Sequence, residues 1–139
     1  MLSGLSDAQR TAVTSDASRP LQILAGPGSG KTRVLTTRVA WLVQGAPDRK
    51  PIPPSRCVVV TFTNKAAAEM RSRLQVLIGE ERTRMLILGT FHATCARFLR
   101  RWGERIGLSR QFTIVDADDA KRIIKDICAE FDADMASDD

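Results

Sequence analysis

The sequence is poor in the residue types from which metal sites and disulfide frameworks are built. It contains no tyrosine, two tryptophans, five phenylalanines and a single histidine, His92. One histidine is too few for a His/Cys zinc cluster. The three cysteines are widely spaced and form no C-x-x-C pair, which argues against a disulfide framework. We therefore interpret Cys57, Cys95 and Cys128 as reduced, mostly buried thiols.

Long apolar runs are missing as well. No segment approaches the roughly 20 apolar residues that a membrane-spanning helix needs. The first ten residues also lack the pattern of a signal peptide. We expect an intracellular protein without a membrane partner, cytoplasmic if the source is bacterial and nuclear if it is eukaryotic. The length of 139 residues leaves room for one main core.

Negative charge is scarce over most of the chain. Residues 1–115 hold 18 Lys and Arg against 7 Asp and Glu, whereas residues 116–139 hold 3 against 9. Five arginines are crowded between positions 97 and 110. Such a basic body suits a polyanionic partner. A solvated helix face explains the charge alone equally well, so both interpretations stay open.

Glycine is concentrated in one stretch, residues 21–33 (LQILAGPGSGKTR), where it carries a specific chemical signal. An apolar segment leads into a glycine-rich turn, then Lys-Thr, then a helix-periodic run. Glycines allow the backbone N–H groups to point inward, which makes an anion-sized cup at a helix N-terminus. Lys31 can reach the β- and γ-phosphates, and the Thr32 hydroxyl can hold Mg²⁺. The stretch therefore predicts a nucleoside triphosphate site.

The pattern G-x-x-x-x-G-K-[ST] is met with one departure, Ala25 at the first position, which marks the turn and supplies no side-chain chemistry. Pro27, at a variable position, lacks an N–H. Neither removes the later donors. The candidate residues of the loop are Ala25, Gly26, Pro27, Gly28, Ser29, Gly30, Lys31 and Thr32.

Apolar periodicity predicts strands and helices in alternation. We predict strands at about 21–25, 57–63, 84–89 and 112–115, with a helix after each. The helix after the glycine-rich loop would carry an apolar stripe of Leu35, Val39, Leu42 and Val43, and the helix after 57–63 a stripe of Met70, Leu74, Leu77 and Ile78. A first helix at 5–13 starts with a Ser6–Gln9 capping box. The proline-rich residues 45–56 are expected to form an extended surface connection. This order predicts an α/β fold with a mainly parallel sheet, whose ligands bind at the carboxyl ends of the strands.

Two of the predicted strand ends begin with the same dipeptide, Thr61-Phe62 and Thr90-Phe91. An exposed phenylalanine beside basic residues can stack on a nucleic-acid base. Alternatively, both rings close the core of the sheet, and spacing alone favours this second reading.

Four segments together resemble a known family. They are Leu5-Ser6-x-x-Gln9-x-x-Ala12, AGPGSGKTR, VTFTNKAAAEM (60–70) and GTFHATC (89–95). In order and spacing they are similar to the N-terminal motifs of UvrD/Rep-type superfamily 1 DNA helicases, and FTIVDADDAKRIIK resembles the segment that follows. The resemblance implies a P-loop NTPase fold: a partial RecA-like parallel sheet with flanking helices at residues 1–111. The start of a helical insertion subdomain would follow at 112–139, with a frayed C-terminus.

The resemblance also implies roles for individual residues. Gln9 would read the adenine edge, which competes with its capping role, and Arg33 would pack on the adenine plane. Lys31 and Thr32 would be the catalytic residues of the loop, with ATP and Mg²⁺ as cofactors. The single-stranded DNA contacts would be Thr61, Phe62, Thr63, Asn64, Thr90, Phe91 and His92.

The implied function is the ATP-binding segment of a 3′–5′ DNA helicase that acts on single-stranded DNA and on single-strand/duplex junctions. The Asp-Glu pair that activates water in this family is absent, because Asp116 is followed by Ala117. We expect Asp116, Asp118 and Asp119 to cap the last helix instead. We also expect the 139-residue chain to be inactive as a helicase without that pair and a second domain. The alternative is a truncated, non-catalytic module that binds nucleotide and single-stranded DNA.

Overall fold

The protein has an α/β fold built around a small parallel sheet. The computed structural model describes the backbone of residues 1–137 and the side-chain surroundings of residues 1–131. The helices are α1 (Asp7–Thr14), α2 (Lys31–Gln44), α3 (Asn64–Ile78), α4 (Glu80–Met85), α5 (Phe91–Trp102) and α6 (Ala117–Ser137), and the strands are β1 (Val58–Thr61) and β2 (Ile87–Thr90). Short 3₁₀ helices occupy Pro54–Arg56 and Gly103–Ile106.

Two compact units divide the described chain. The first is Met1–Cys95, and the second begins at Ala96, so that the division falls within α5. The domain boundary predicted between residues 111 and 112 lies inside the second unit and stays a prediction. Within the described residues, no helix combines the length and the apolar character that crossing a membrane requires.

The two strands confirm the predicted parallel pairing. β1 and β2 run side by side, with Val58 opposite Ile87 and Thr61 opposite Thr90. The β-branched run at 57–63 contains β1, while the strand predicted at 84–89 begins only at Ile87, because the preceding residues form α4. The connection from β1 to β2 runs through α3 and α4, as the crossover between parallel strands requires.

Two predicted strands are wrong. Residues 21–25 and 112–115 join no ladder, and the apolar side chains of Leu24 and Ile114 are 87% and 61% exposed. A strand buried on both faces needs neighbours to cover it. Within residues 1–137 the sheet has only two strands, and neither segment pairs with them.

The main core lies between α2, α3 and the sheet. Its buried members are Val39, Ala40, Val43, Val59, Met70, Leu74, Ile78 and Leu86. A second cluster of Leu5, Val13 and Val34 joins α1 to the start of α2. The apolar stripe predicted for α3 is thereby largely confirmed. The core fixes the relative positions of the segments that precede α2 and α3, where the candidate site lies.

Local sequence signals set most helix ends. The predicted capping box at Ser6 and Gln9 is present, and Asp116 caps α6 as predicted, accepting the N–H groups of Asp118 and Asp119 at 3.0 and 2.8 Å. Helix α6 extends to Ser137, and the frayed C-terminus expected from residue 132 stays a prediction. Residues 138 and 139 lie outside the described part.

The proline-rich connection is less extended than predicted. Ala46 and Arg49 form an antiparallel bridge around a turn, and Pro54–Arg56 form a 3₁₀ turn. The Arg49 guanidinium donates to the carbonyls of Trp41 and Leu42 at the end of α2. Because these bonds satisfy carbonyls that the helix end leaves open, they hold the connection against α2.

The cysteine prediction is also corrected. Only Cys57 is half-buried, and burial raises the pKa of its thiol. Cys95 and Cys128 are exposed, and all three are free thiols.

Candidate functional site

The glycine-rich loop enters α2 through backbone conformations that favour glycine. Gly28 and Gly30 have φ values of 73° and 83°, in the left-handed region. Gly30 is the N-cap of α2 and provides no side-chain cap. The first N–H groups of the helix are therefore not satisfied by an N-cap side chain, at the end where the dipole favours an anion.

Lys31 folds over this loop. Its Nζ donates to the carbonyl oxygens of Ala25 at 3.1 Å and Gly26 at 2.8 Å. The Ser29 hydroxyl also donates to the Gly26 carbonyl, at 2.7 Å. These bonds hold the loop closed on itself and keep the ammonium group at its centre, while the side chain of Thr32 is exposed beside it.

Gln9 joins α1 to the loop. The Ser6 N–H donates to Gln9 Oε1 at 3.1 Å, and the Gln9 N–H donates to Ser6 Oγ at 3.3 Å. Gln9 Nε2 donates to the Ser29 carbonyl at 2.9 Å. In the sequence analysis, capping and a role at the nucleotide site were competing interpretations of Gln9. The structure shows that its side chain caps α1 and contacts the loop at the same time.

Gly30 is the point at which Gln9 and Arg33 meet the loop. A Cβ atom built on Gly30 would lie 3.0 Å from Gln9 Nε2 and 3.9 Å from Arg33 Cβ. The Arg33 guanidinium extends towards Gly4, where an added Cβ would lie 3.1 Å from Nη2. Gln9 and Arg33, for which the resemblance implies adenine contacts, thus flank the same glycine.

A cleft of about 340 Å³ opens between α1 and the loop. Its walls come from α1, from the segment before the loop and from Lys31. They include Ser6, Gln9, Ala12, Leu24, Gly26 and Lys31. Arg33 lies outside this lining, on the Gly4 side of Gly30.

The two Thr-Phe dipeptides come together at the carboxyl end of the sheet. Thr61 and Thr90 are register partners, so the phenylalanine that follows each leaves the sheet at the same edge. The rings of Phe62 and Phe91 lie 5.3 Å apart between centroids, at 39°. Phe62 is 87% exposed and Phe91 44% exposed. The reading that both rings close the sheet core is therefore wrong.

The threonines of these dipeptides stabilise the surrounding turns. Thr61 and Thr90 are buried. The Thr61 hydroxyl donates to the Thr63 carbonyl at 3.0 Å, and the Thr63 and Thr90 hydroxyls accept the N–H groups of Ala66 and Ala93. Among the seven predicted DNA contacts, the exposed side chains are Phe62, Thr63, Asn64, Phe91 and His92.

Arg38 is a positioning residue that the sequence did not reveal. Its Nη1 donates to the carbonyl oxygens of Ala12, Val13 and Ser15 at the end of α1, at 2.9 to 3.1 Å. It thereby fixes α1, and with it Gln9, against α2. No local signal could have found it, because its partners lie 23 to 26 residues away in the chain.

Three features of the site occur together: the glycine-rich loop, the Gln9 side chain that helps to cap α1, and the paired Thr-Phe turns. They agree with the class of protein that the comparison with known families gives. The chain belongs to the UvrD/REP helicase N-terminal domain family, whose model matches residues 5–139. This confirms the resemblance that the motifs indicated.

The individual relatives of this chain agree with the family assignment. The chain is similar to the ATP-dependent DNA helicase PcrA of Staphylococcus epidermidis, with 51% identity over 108 residues. It is also similar to the ATP-dependent DNA helicase PcrA of Staphylococcus aureus, with 50% identity over 108 residues. Each match covers 78% of this chain and 14% of the relative.

Proposed function

We propose that this chain is the ATP-binding segment of an ATP-dependent 3′–5′ DNA helicase, with a partial RecA-like P-loop domain followed by the start of a helical insertion. In the whole protein, ATP hydrolysis would drive translocation on single-stranded DNA and unwinding at junctions. The observation that carries the proposal is the loop itself: Gly30 in the left-handed region opens α2, with the Lys31 ammonium over the loop and Gln9 at its side.

The residues of the loop fit a magnesium triphosphate. The N–H groups at the start of α2 and the glycine N–H groups would bind phosphate oxygens. Lys31 would exchange the Ala25 and Gly26 carbonyls for the β- and γ-phosphates, and the Thr32 hydroxyl would hold Mg²⁺. The ion, when bound, neutralises charge on the phosphates.

Gln9 and Arg33 would bind the adenine. The Gln9 amide offers an NH₂ donor group and a carbonyl acceptor, the combination that the adenine edge requires. In the structure both groups are engaged, by Ser29 and by Ser6. Adenine recognition would therefore release Gln9 from these partners, which links nucleotide binding to the position of α1.

Replacing Gln9 by alanine is expected to lower ATP affinity about 5- to 10-fold, the effect of roughly one hydrogen bond. Inorganic triphosphate, which has no base, is expected to bind with unchanged affinity. Gln9→Glu keeps an acceptor oxygen for the Ser6 N–H but has no donor for the Ser29 carbonyl, so it should restore the cap of α1 without restoring ATP affinity. Calorimetric titration with both ligands measures this. An equal loss for ATP and triphosphate would instead assign Gln9 to shaping the loop.

Phe62 and Phe91 would stack on bases of single-stranded DNA. The two rings are adjacent and exposed, with His92 and Asn64 beside them in the sequence. Aromatic stacking tolerates any base sequence, as a translocating enzyme requires. Thr61 and Thr90, being buried, would position these rings, while Thr63, also exposed, remains a proposed contact.

Phe62→Ala is expected to weaken binding of a labelled oligothymidylate by about 5- to 100-fold, since one stacked base contributes about 1–3 kcal/mol. Phe62→Tyr keeps the ring and should bind like the unmodified chain. Fluorescence anisotropy at fixed salt provides the measurement. Unchanged affinity of the alanine variant would rule out stacking at this position.

Hydrolysis is not expected of the 139-residue chain. Its sequence contains no Asp-Glu pair, and Asp116 is engaged as the cap of α6. The second candidate function is a non-catalytic module that binds nucleotide and single-stranded DNA.

Measuring ATP binding, DNA binding and ATP turnover on the same preparation tests the proposal. Binding of both ligands without turnover is the expected result. No binding of ATP in the presence of Mg²⁺ would overturn the proposed nucleotide site. ATP turnover stimulated by single-stranded DNA, and lost in Lys31→Ala, would overturn the expectation of inactivity.

A further inference from the structure

Helix α5 presents three arginines on one face and contains no carboxylate. Its sequence, FHATCARFLRRW, places Arg97, Arg100 and Arg101 within an arc of about 100°, at 100° per residue. All three side chains are exposed. They lie in the second compact unit, which begins at Ala96. We refer to these three residues as the arginine face.

The arginine face differs from the other charged helix surfaces. One arginine on each of α3, α4 and α6 pairs with a carboxylate about one turn away, although Arg82 on α4 is exposed and has no such pair. Within residues 1–131, no carboxylate pairs with any of the three arginines of the arginine face. Like charges at these spacings destabilise a helix by about 0.2–0.5 kcal/mol per pair. The helix dipole offsets part of this for Arg100 and Arg101. The paired examples are Arg73–Glu69, Arg84–Glu80 and Arg122–Asp119.

An indole beside the arginine face positions one of its members. The Arg101 guanidinium carbon lies 5.0 Å from the centroid of the Trp102 ring, within cation–π range. The Phe98 ring lies 5.4 Å from the same indole. Trp102, itself 42% exposed, thus orients one guanidinium of the arginine face.

We propose that the arginine face binds the phosphate backbone of duplex DNA, without reading its sequence. Guanidinium groups match phosphate oxygens in geometry and charge. Duplex DNA carries one negative charge per ~1.7 Å of its axis. Its phosphates are therefore dense enough to contact all three arginines of the arginine face. The inference rests on the proposed function in that the partner is DNA, and it adds a duplex contact to the single-strand contacts of Phe62 and Phe91.

The test is the salt dependence of binding to a short, blunt, labelled duplex. The triple variant R97Q/R100Q/R101Q is expected to reduce the slope of log K against log salt by about 2.7, at ~0.9 per phosphate contact. Its affinity at about 0.1 M salt should fall on the order of 10²-fold. R97K/R100K/R101K keeps the charges and should stay within a few-fold of the unmodified chain. Circular dichroism confirms that each variant is folded.

The matched control removes three positive charges from the same unit. R110Q/K121Q/R122Q changes residues already paired with Glu104, Asp118 and Asp119, so little change in duplex affinity is expected. An equal loss in both triple variants would mean that only net charge matters and would overturn the proposal. Duplex affinity that is absent, or unchanged in R97Q/R100Q/R101Q, would overturn it as well.

Single-strand binding, measured in parallel, separates this inference from the proposed function. If oligothymidylate binding depends on Phe62 while the arginine variants leave duplex binding unchanged, the arginine face fails and the proposed function stands. If single strands do not bind but the duplex does, with the expected loss in R97Q/R100Q/R101Q, the arginine face stands and the single-strand role fails.

Discussion

Lys31→Ala is expected to lower the affinity of the chain for ATP by about 100-fold. Lys31 Nζ lies over the loop, on the Ala25 and Gly26 carbonyls, and would transfer to two phosphates. Lys31 would gain two charge-assisted hydrogen bonds to phosphate and lose its two bonds to carbonyls. The net contribution to the free energy of ATP binding is about 3 kcal/mol. Calorimetric titration with ATP in the presence of Mg²⁺ gives the dissociation constants to compare.

The same substitution has a structural consequence that can be measured separately. Without the ammonium group the loop loses two bonds to its own carbonyls, so it should become more accessible to hydrogen exchange. Lys50→Ala removes an exposed lysine of the proline-rich connection and serves as the charge-matched control. If Lys31→Ala binds ATP as tightly as Lys50→Ala does, Lys31 is not a phosphate ligand.

Leu74→Ala is expected to destabilise the fold by about 2–5 kcal/mol, because it leaves a cavity in the core. Leu74 is 0% exposed and packs in the cluster between α2, α3 and β1. That loss is a large fraction of the about 5–15 kcal/mol that stabilises a typical domain. Urea unfolding followed by circular dichroism measures it, with an unchanged m-value expected.

Val76→Ala is the matched control on the same helix. Val76 is 85% exposed, so its truncation should change the free energy of unfolding by no more than about 0.5 kcal/mol. Similar losses for the two variants would show that the α2–α3 interface is not the core of this unit.

The core matters for the candidate site because both site segments lie at the starts of its helices. The glycine-rich loop ends at Gly30, the N-cap of α2, and the Phe62 turn ends at Thr63, the N-cap of α3. Packing of Leu74 and Met70 against Val39 and Val43 therefore sets the distance between the two segments. A weakened core should impair ATP binding and DNA binding together.

Periodicity identified the buried face of α3 and part of that of α2. Met70, Leu74 and Ile78 are buried as their spacing predicts. On α2, Val39 and Val43 are buried as predicted, whereas Leu35 is 40% exposed and its neighbour Val34 is buried against α1. The pattern of α2 fits more than one face, and the position of α1 selects among them.

Whether a predicted strand forms depends on a neighbouring strand that can pair with it, and not only on its own residues. Residues 57–63 and 21–25 are both short apolar runs, yet only the former forms a strand, because β2 pairs with it. Ladder hydrogen bonds are made between segments, and composition alone does not say which partners are present.

By itself, the sequence determined the family and the chemistry of each local motif. The glycines of the loop, the Ser6–Gln9 capping box and the repeated Thr-Phe dipeptide act over a few residues, so their spacing is sufficient to identify them. Only the tertiary structure decided that Phe62 and Phe91 meet outside the core and that Gln9 contacts Ser29. These contacts join residues 20 or more positions apart, and they depend on strand register and helix packing, which no local pattern specifies.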